Sequence, residues 1–105
     1  MIDISNLNSG LAMNTHVVEM SIRVDQMSGR YDLRLNLAKS PSDGVGLALV
    51  FEDVAELSCS LDLAGWAQLH MLGIREIRQG YERPFVVEEI EYSSLKFSCR
   101  SAKIA

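Results

Sequence analysis

Apolar and polar residues alternate along much of the chain from residue 17 onward. In residues 18–24 every second residue is apolar, and residues 31–37 repeat the pattern. A period of two is typical of a β-strand that buries one face. The intervening residues 25–30 contain Gly29, which adopts the positive φ of many hairpin loops without strain. The sequence therefore predicts an N-terminal β-hairpin.

The alternation also predicts the register of this hairpin. The opposed apolar pairs are Val24 with Tyr31, Ile22 with Leu33, Met20 with Leu35 and Val18 with Leu37. The same register places Arg23 opposite Asp32 on the solvent face, where opposite charges stabilise a sheet. A shift of one residue would turn every apolar side chain to water, so the register is strongly specified.

Two further alternating segments occupy residues 45–51 and 57–63. The second also fits a helix, because Asp53 and Glu56 have the spacing of a capping box and Val54 begins an apolar series with helical spacing. Ser58 to Ser60 are poor helix formers, so a strand is favoured.

If these two segments form a hairpin, its outer face carries only small, uncharged residues. A free protein surface normally carries charge, so we expect this face to be covered by another part of the chain or by another subunit. The residues of this expected oligomer face are Gly46, Ala48, Val50, Ser58 and Ser60.

The C-terminal segments 85–92 and 95–100 predict a second clear hairpin, joined by a two-residue turn at Ser93 and Ser94. This register places Glu91 opposite Lys96 and directs Glu88 to the core face opposite Cys99. A buried, unpaired carboxylate costs several kcal/mol, so we expect a bulge at residues 88–89.

The remaining segments carry weaker patterns. Residues 74–79 predict a short strand, and residues 64–73 fit either a short helix or a strand. Residues 1–14 are polar, with a turn signal at residues 8–10. The predicted fold is a single domain over residues 1–105: a mainly β, antiparallel sandwich or partly closed barrel of about seven strands, with at most one short helix.

The charge balance excludes some partners. The chain has 10 Lys and Arg against 14 Asp and Glu, a formal charge of −4 and a pI near 5.0. This composition argues against nucleic acid and against an anionic membrane surface as partners. No apolar run approaches the ~20 residues needed to span a bilayer. The N-terminus lacks the features of a secretory signal, so we expect a cytoplasmic protein.

Candidate chemistry is sparse. His16 and His70 stand in no metal-ligand spacing, and Gly44 to Gly46 precede a strand rather than the helix that a phosphate loop requires. Cys59 and Cys99 occupy apolar positions and are expected to be free, buried thiols. We expect no catalytic residues, no metal and no cofactor, and therefore no enzyme.

Acidic residues are concentrated in part of the chain. Five acids and no Lys or Arg lie between Lys39 and Arg75, and residues 88–91 form a second cluster. We expect an acidic surface that binds a basic protein partner, with an aromatic anchor. The candidate binding residues are Glu52, Asp53, Glu56, Trp66, Glu88 and Glu89.

A resemblance to a known class rests on the second half of the chain. Its elements are residues 49–54, Ile74 with Ile77, residues 87–92 and residues 95–101. Over residues 45–104 this layout resembles that of small bacterial β proteins, including immunity proteins of polymorphic-toxin systems. The resemblance implies a protein that binds and neutralises a cognate toxin, and it assigns no individual binding residue.

Three functional hypotheses follow. The first is a non-catalytic binding protein, immunity-like, that contacts a protein partner through acidic surface. The second is a structural domain that assembles into homo-oligomers through the small-residue face. The third is a small-molecule-binding β-barrel. The first hypothesis depends mainly on fold-level analogy.

Overall fold

The computed structural model describes residues 3–60, 72–77, 82–91 and 93–105. These residues form one helix and eight strands. In chain order they are α1 (Ile4–Met13), β1 (His16–Val24), β2 (Tyr31–Ala38), β3 (Leu47–Glu52), β4 (Ala55–Cys59), β5 (Leu72–Glu76), β6 (Phe85–Glu89), β7 (Leu95–Cys99) and β8 (Ser101–Ile104).

The strands form two four-stranded antiparallel sheets. Sheet A has the order β1-β2-β3-β8, and sheet B has the order β4-β7-β6-β5. The predicted mainly β, antiparallel fold is confirmed: the described strands form a sandwich-like pair of sheets and do not close into a barrel. The chain changes sheets between β3 and β4 and again between β7 and β8, which ties the two layers together.

The core lies between the two sheets. Sheet A contributes Leu35 and Phe51, and sheet B contributes Val87 and Phe97, each at most 1% exposed. The rings of Phe51 and Phe97 meet edge to face across the core, with centroids 4.9 Å apart. Such aromatic pairs add to the stabilisation that burial alone provides.

The N-terminal segment is a helix, so the turn predicted at residues 8–10 is wrong. The Asp3 side chain caps α1 by accepting a hydrogen bond from the backbone N–H of Asn6 at 3.1 Å. Leu7 and Leu11 share one face of the helix and are buried against the core. Burial of these two leucines and the cap outweigh the turn preference of Asn8 and Gly10.

The first hairpin has the predicted register over most of its length. Val24 lies opposite Tyr31, Ile22 opposite Leu33, Met20 opposite Leu35 and Arg23 opposite Asp32. The predicted pairing of Val18 with Leu37 is wrong, because a bulge between Val17 and Glu19 places Val17 opposite Leu37 instead. A bulge inserts one residue into a single strand and shifts every later pair.

The predicted hairpin of residues 45–51 and 57–63 does not form. Strand β3 pairs with β2 and β8 in sheet A, whereas β4 pairs with β7 in sheet B. Only Asp53 and Val54 separate the two strands, and Asp53 has a φ of 53°, so the chain turns out of one sheet into the other. Residues 55–59 are a strand, so the helical alternative is wrong there.

The C-terminal hairpin forms with a different register. Val87 lies opposite Phe97, and Glu88 lies opposite Lys96 rather than Cys99. The connection is longer than the predicted two residues, and Ser93, with a φ of 52°, donates its N–H to the carbonyl oxygen of Glu89 at 3.0 Å. This longer loop reverses the faces, so Glu89 rather than Glu88 lies on the core side, and the bulge expected at residues 88–89 is absent from the β6–β7 pairing.

Some predictions concern residues outside the described ranges. The segment 64–71, with Trp66 and His70, belongs to this group, as do Leu61 and Leu63 of the fourth alternating segment. The predicted short strand near residue 74 is confirmed as β5. No helix in the described ranges is long and apolar enough to cross a membrane.

Candidate functional site

A polar cleft lies at the end of the sandwich where the chain passes between sheets. Three segments meet there: the β1–β2 loop, the corner between β3 and β4, and the bend at Arg100 between β7 and β8. The cleft has a volume of about 690 Å³, and we call it the hairpin-end cleft. Its lining includes Arg23, Asp25, Ser28, Arg30, Asp32, Glu52, Asp53 and Arg100.

The β1–β2 loop is organised by the carboxylate of Asp25. One oxygen accepts the backbone N–H of Met27 at 3.0 Å, and the other accepts the hydroxyl of Ser28 at 3.0 Å. Both hydrogen bonds lower the pKa of Asp25 below its usual value of 3.8, and the hydrogen bond from Met27 has the larger effect. Gly29 completes the turn with a φ of 73°. Met27 lies in this turn and is 96% exposed.

The floor of the cleft is the buried carboxylate of Asp53, which is 3% exposed. Arg83 donates from Nη2 to Asp53 Oδ1 at 2.8 Å and from Nε to the Asp53 carbonyl oxygen at 3.0 Å. Arg30 Nη1 lies 3.4 Å from Asp53 Oδ2. The backbone N–H of Asp53 donates to Asp32 Oδ1 at 3.0 Å. A buried charge requires such partners, because it has lost its water.

These contacts give Asp53 a structural role. Arg30 belongs to the β1–β2 loop and also contacts Glu82 at 3.1 Å, while Arg83 lies just before β6. Asp53 therefore joins the loop, the sheet-crossing corner and the approach to sheet B. Its carboxylate is engaged by two guanidinium groups and is not presented to a partner.

The rim of the cleft carries two further arginines, Arg23 and Arg100, both exposed. Neither guanidinium forms an ion pair or hydrogen bond with another residue in the described ranges. The backbone N–H of Arg100 donates to the Glu52 carbonyl oxygen at 2.9 Å, which fixes the bend between the sheets. The cleft thus presents two exposed cationic groups together with residues of the β1–β2 loop.

The predicted acidic residues do not form one surface. Glu52 lies in the cleft wall, where it accepts the Ser101 hydroxyl at 2.9 Å, and Glu88 faces Lys96 at 3.7 Å in sheet B. Glu89 is 1% exposed, and Glu56 is exposed on β4. Of the six candidates, the structure brings together only Glu52 and Asp53, and Trp66 lies outside the described residues.

The predicted oligomer face is also divided. Ala48 and Val50 lie in sheet A, where β2 and β8 flank them, whereas Ser58 lies in sheet B, with Ser60 directly after β4. Arg34 and Lys103 lie opposite Val50, so the surface around these small residues is charged. Gly46 precedes β3, and a Cβ atom there would collide with the Asn14 side chain. Close packing against α1 explains this glycine without a second subunit.

The two cysteines differ in environment. Both are free. Cys99 is buried as expected, and burial raises the pKa of its thiol to about 12. Cys59 is exposed at the end of β4, so its predicted burial is wrong. The structure does not group three or more potential metal ligands anywhere in the ranges it describes.

The sequence placed Arg23 opposite Asp32 but did not identify the arginines as a group. Arg23, Arg30 and Arg100 line the cleft and Arg83 contacts Asp53, and no local spacing connects these distant positions. The order Asp25, Ser28, Gly29 was a local signal for the structured loop, since Asp and Ser side chains form turns with the following backbone.

Comparisons with protein-family models, with curated proteins and with solved structures found no match to this chain.

Proposed function

We propose that this protein is a non-catalytic binding module that contacts a protein partner through the hairpin end of the sandwich. The observation that supports this most directly is Met27, 96% exposed at the tip of an ordered loop. Its sequence neighbours Gln26 and Ser28 line the hairpin-end cleft, which the exposed residues Arg23 and Arg100 also line. Methionine and arginine are enriched in protein interfaces, where they supply adaptable apolar contact and directed hydrogen bonds.

The charge of the cleft favours a protein over a nucleic acid as the partner. The arginines stand beside the carboxylates of Asp25, Asp32 and Glu52. A phosphate backbone would be repelled by these carboxylates, whereas a protein surface can present groups of both signs.

The proposed binding surface differs from the acidic surface expected from the sequence. Asp53 and Glu89 are buried, so an acidic patch containing them is not available for contact. The resemblance to immunity proteins adds a class of partner, a toxin protein, to the proposal. That addition depends on the resemblance alone.

Site-specific photo-crosslinking tests the proposal. A photoreactive phenylalanine analogue replaces Met27 in one variant and Ile104, 58% exposed on the other edge strand of sheet A, in the control. Irradiation in cells that produce the protein should give a discrete heavier product for Met27 and none for Ile104. The additional change Arg100→Glu should remove that product, because it reverses a charge on the rim.

Two outcomes would contradict the proposal. One is equal crosslinking at both positions, which indicates random collision. The other is a single Met27 product with twice the mass of the 11.7 kDa chain, which indicates contact with a second copy only.

A further inference from the structure

In the described part of the chain, the four outer edge strands of the two sheets differ in how they are protected. Edge strand β8 has only four residues, and edge strand β4 is interrupted by a register shift between Ala55 and Ser58. At the edge of β5, the side-chain amide of Asn8 donates to the Ile74 carbonyl oxygen at 3.0 Å and accepts the Ile74 N–H at 2.8 Å. Short strands, bulges and covering groups are standard means of preventing edge-to-edge association.

Strand β1 is the exception. It has nine residues, and in the described part of the chain only β2 pairs with it. Its bulge lies near the start, between Val17 and Glu19, so the register is regular from Glu19 to Val24. This regular portion is long enough to form a ladder with another strand.

The side chains of β1 that face the core side of sheet A are only partly covered. Ile22 lies opposite Leu33 and Val24 lies opposite Tyr31, so both are on the core side. Ile22 is nevertheless 50% exposed and Val24 is 57% exposed. The adjacent strand β2 has Leu33 and Leu35 fully buried on the same face. The apolar surface of sheet A thus continues past the part that sheet B covers, and it ends at an open edge.

In β1, alternate residues direct their backbone N–H and carbonyl groups toward β2 and toward the open edge. Only the second set can form hydrogen bonds with an added strand. The backbone N–H of Asp25 donates to the Arg30 carbonyl oxygen at 2.8 Å, which makes residues 25 and 30 a hydrogen-bonded pair. In an antiparallel ladder such pairs alternate. Residues 23 and 21 therefore bond toward β2, and Met20 and Ile22 direct their N–H and carbonyl groups toward the open edge.

We propose that two copies of this chain associate by antiparallel pairing of their β1 strands about a twofold axis at Ser21. In this register Met20 lies opposite Ile22 of the second copy, and both residues have outward-directed backbone groups. Glu19 lies opposite Arg23 of the second copy, and the symmetry repeats this opposite-charge pair. The apolar core-face residues of the two strands also become neighbours.

Charge complementarity selects this register over its neighbours. Moving the axis to Ile22 places Glu19 opposite Asp25 of the second copy, which are like charges. Moving it to Met20 removes the Glu19–Arg23 pair and includes the bulged residues. Cross-strand pairs of opposite charge stabilise a sheet and like charges destabilise it, so the twofold at Ser21 is favoured. The paired sheets form one continuous eight-stranded layer. Arg23 belongs both to this strand and to the lining of the hairpin-end cleft, whereas Glu19 belongs only to the strand.

Charge reversal on the full-length chain tests this proposal by sedimentation equilibrium. The wild-type chain should show a concentration-dependent mass approaching twice 11.7 kDa. Glu19→Arg alone and Arg23→Glu alone should each weaken self-association by about tenfold or more, because each places two like-charge pairs across the axis. Mixing the two variants should restore association, since the mixed dimer again has two opposite-charge pairs. Thermal unfolding of each variant shows that it is folded.

The double variant Glu19→Arg with Arg23→Glu should associate like the wild type, because it exchanges the charges without changing their pairing. Lys103→Glu, on the outer face of the other edge strand of sheet A, is the matched control and should leave the dimer intact. The proposal is overturned if the wild type is monomeric up to roughly 1 mM. It is also overturned if the single variants dimerise normally, or if Lys103→Glu abolishes the dimer. Glu19→Arg lies outside the cleft lining and tests only the dimer, whereas Arg100→Glu lies outside β1 and tests only the crosslink at Met27, so the two proposals fail separately.

Discussion

At the scale of single residues, Asp53 both shapes the backbone and forms ion pairs. It turns the chain from one sheet to the other with a φ of 53°, and its carboxylate contacts both Arg30 and Arg83. Asp and Asn tolerate the left-handed conformation better than most residues do. An Asn at this position should therefore keep the corner and lose only the charge.

We expect Asp53→Asn to reduce the free energy of unfolding by about 2 kcal/mol, because hydrogen bonds to a charged group are lost in a buried position. Arg30 and Arg83 keep access to water, which limits the loss. The matched control is Glu56→Gln, another acid-to-amide change at a positive φ, but at an exposed position. Urea unfolding measures both variants. A loss as large for Glu56→Gln as for Asp53→Asn would show that burial of the carboxylate is not the cause.

The charge of Asp53 could be predicted from the sequence, but its burial could not. The acidic character of residues 52–56 could be read directly, but the burial of one acid among exposed ones could not. Burial depends on Arg30 and Arg83, which lie 23 and 30 residues away along the chain. Local spacing says nothing about contacts that only the sheet topology creates.

At the scale of secondary structure elements, α1 protects a sheet edge. The Asn8 side chain makes two hydrogen bonds to Ile74 and so takes the place of a neighbouring strand for one residue of β5. Leu7 and Leu11 hold the helix against the core, which positions Asn8. The helix therefore buries apolar side chains against the core and supplies hydrogen bonds to the backbone of edge strand β5.

We expect Asn8→Ala to lower the free energy of unfolding by about 1–2 kcal/mol relative to Asn6→Ala. Both changes replace asparagine in the same helix, so the gain in helix propensity is common to both and cancels in the comparison. Asn6 is exposed. Hydrogen exchange of the Ile74 amide should accelerate in Asn8→Ala and not in Asn6→Ala. Equal protection of the Ile74 amide in the two variants would show that Asn8 does not protect the edge of β5.

Alternation predicted which residues form strands but only part of how the strands pair. The β1–β2 register was correct because a short loop with Gly29 fixes it from Met20 to Val24. The β6–β7 register was wrong because the connection is longer than the predicted two residues and Ser93 takes a positive φ, which the sequence does not indicate. Strands β3 and β4 are adjacent in the chain but belong to different sheets, and alternation carries no information on that choice.

At the scale of the whole molecule, two sheet crossings make the layers interdependent. The core residues of both sheets meet at Phe51 and Phe97, and the ion pairs of Asp53 join segments on either side of the crossing. A small domain of this kind is expected to open largely as one unit. Cys99 is fully buried in that core and provides a probe of the opening.

The reactivity of Cys99 should report global unfolding. The thiolate is the reactive form, and burial both raises the pKa of the Cys99 thiol to about 12 and blocks access to it. In the native protein an alkylating reagent should modify the exposed Cys59 rapidly and Cys99 only through opening. A Cys59→Ser background isolates the slow reaction, which mass spectrometry follows.

Combining this background with Asp53→Asn tests the interdependence of the layers. If the sandwich opens as one unit, a loss of about 2 kcal/mol raises the open population about 30-fold, and alkylation of Cys99 should accelerate by the same factor. Cys99 lies in β7 and Asp53 lies at the corner between β3 and β4, so an acceleration would extend beyond the segment that carries the substitution. An unchanged alkylation rate, despite the stability loss seen in urea, would mean that sheet B opens independently of the corner. Acceleration in step with the stability loss would instead show that the buried ion pairs of one sheet crossing stabilise the core of both layers.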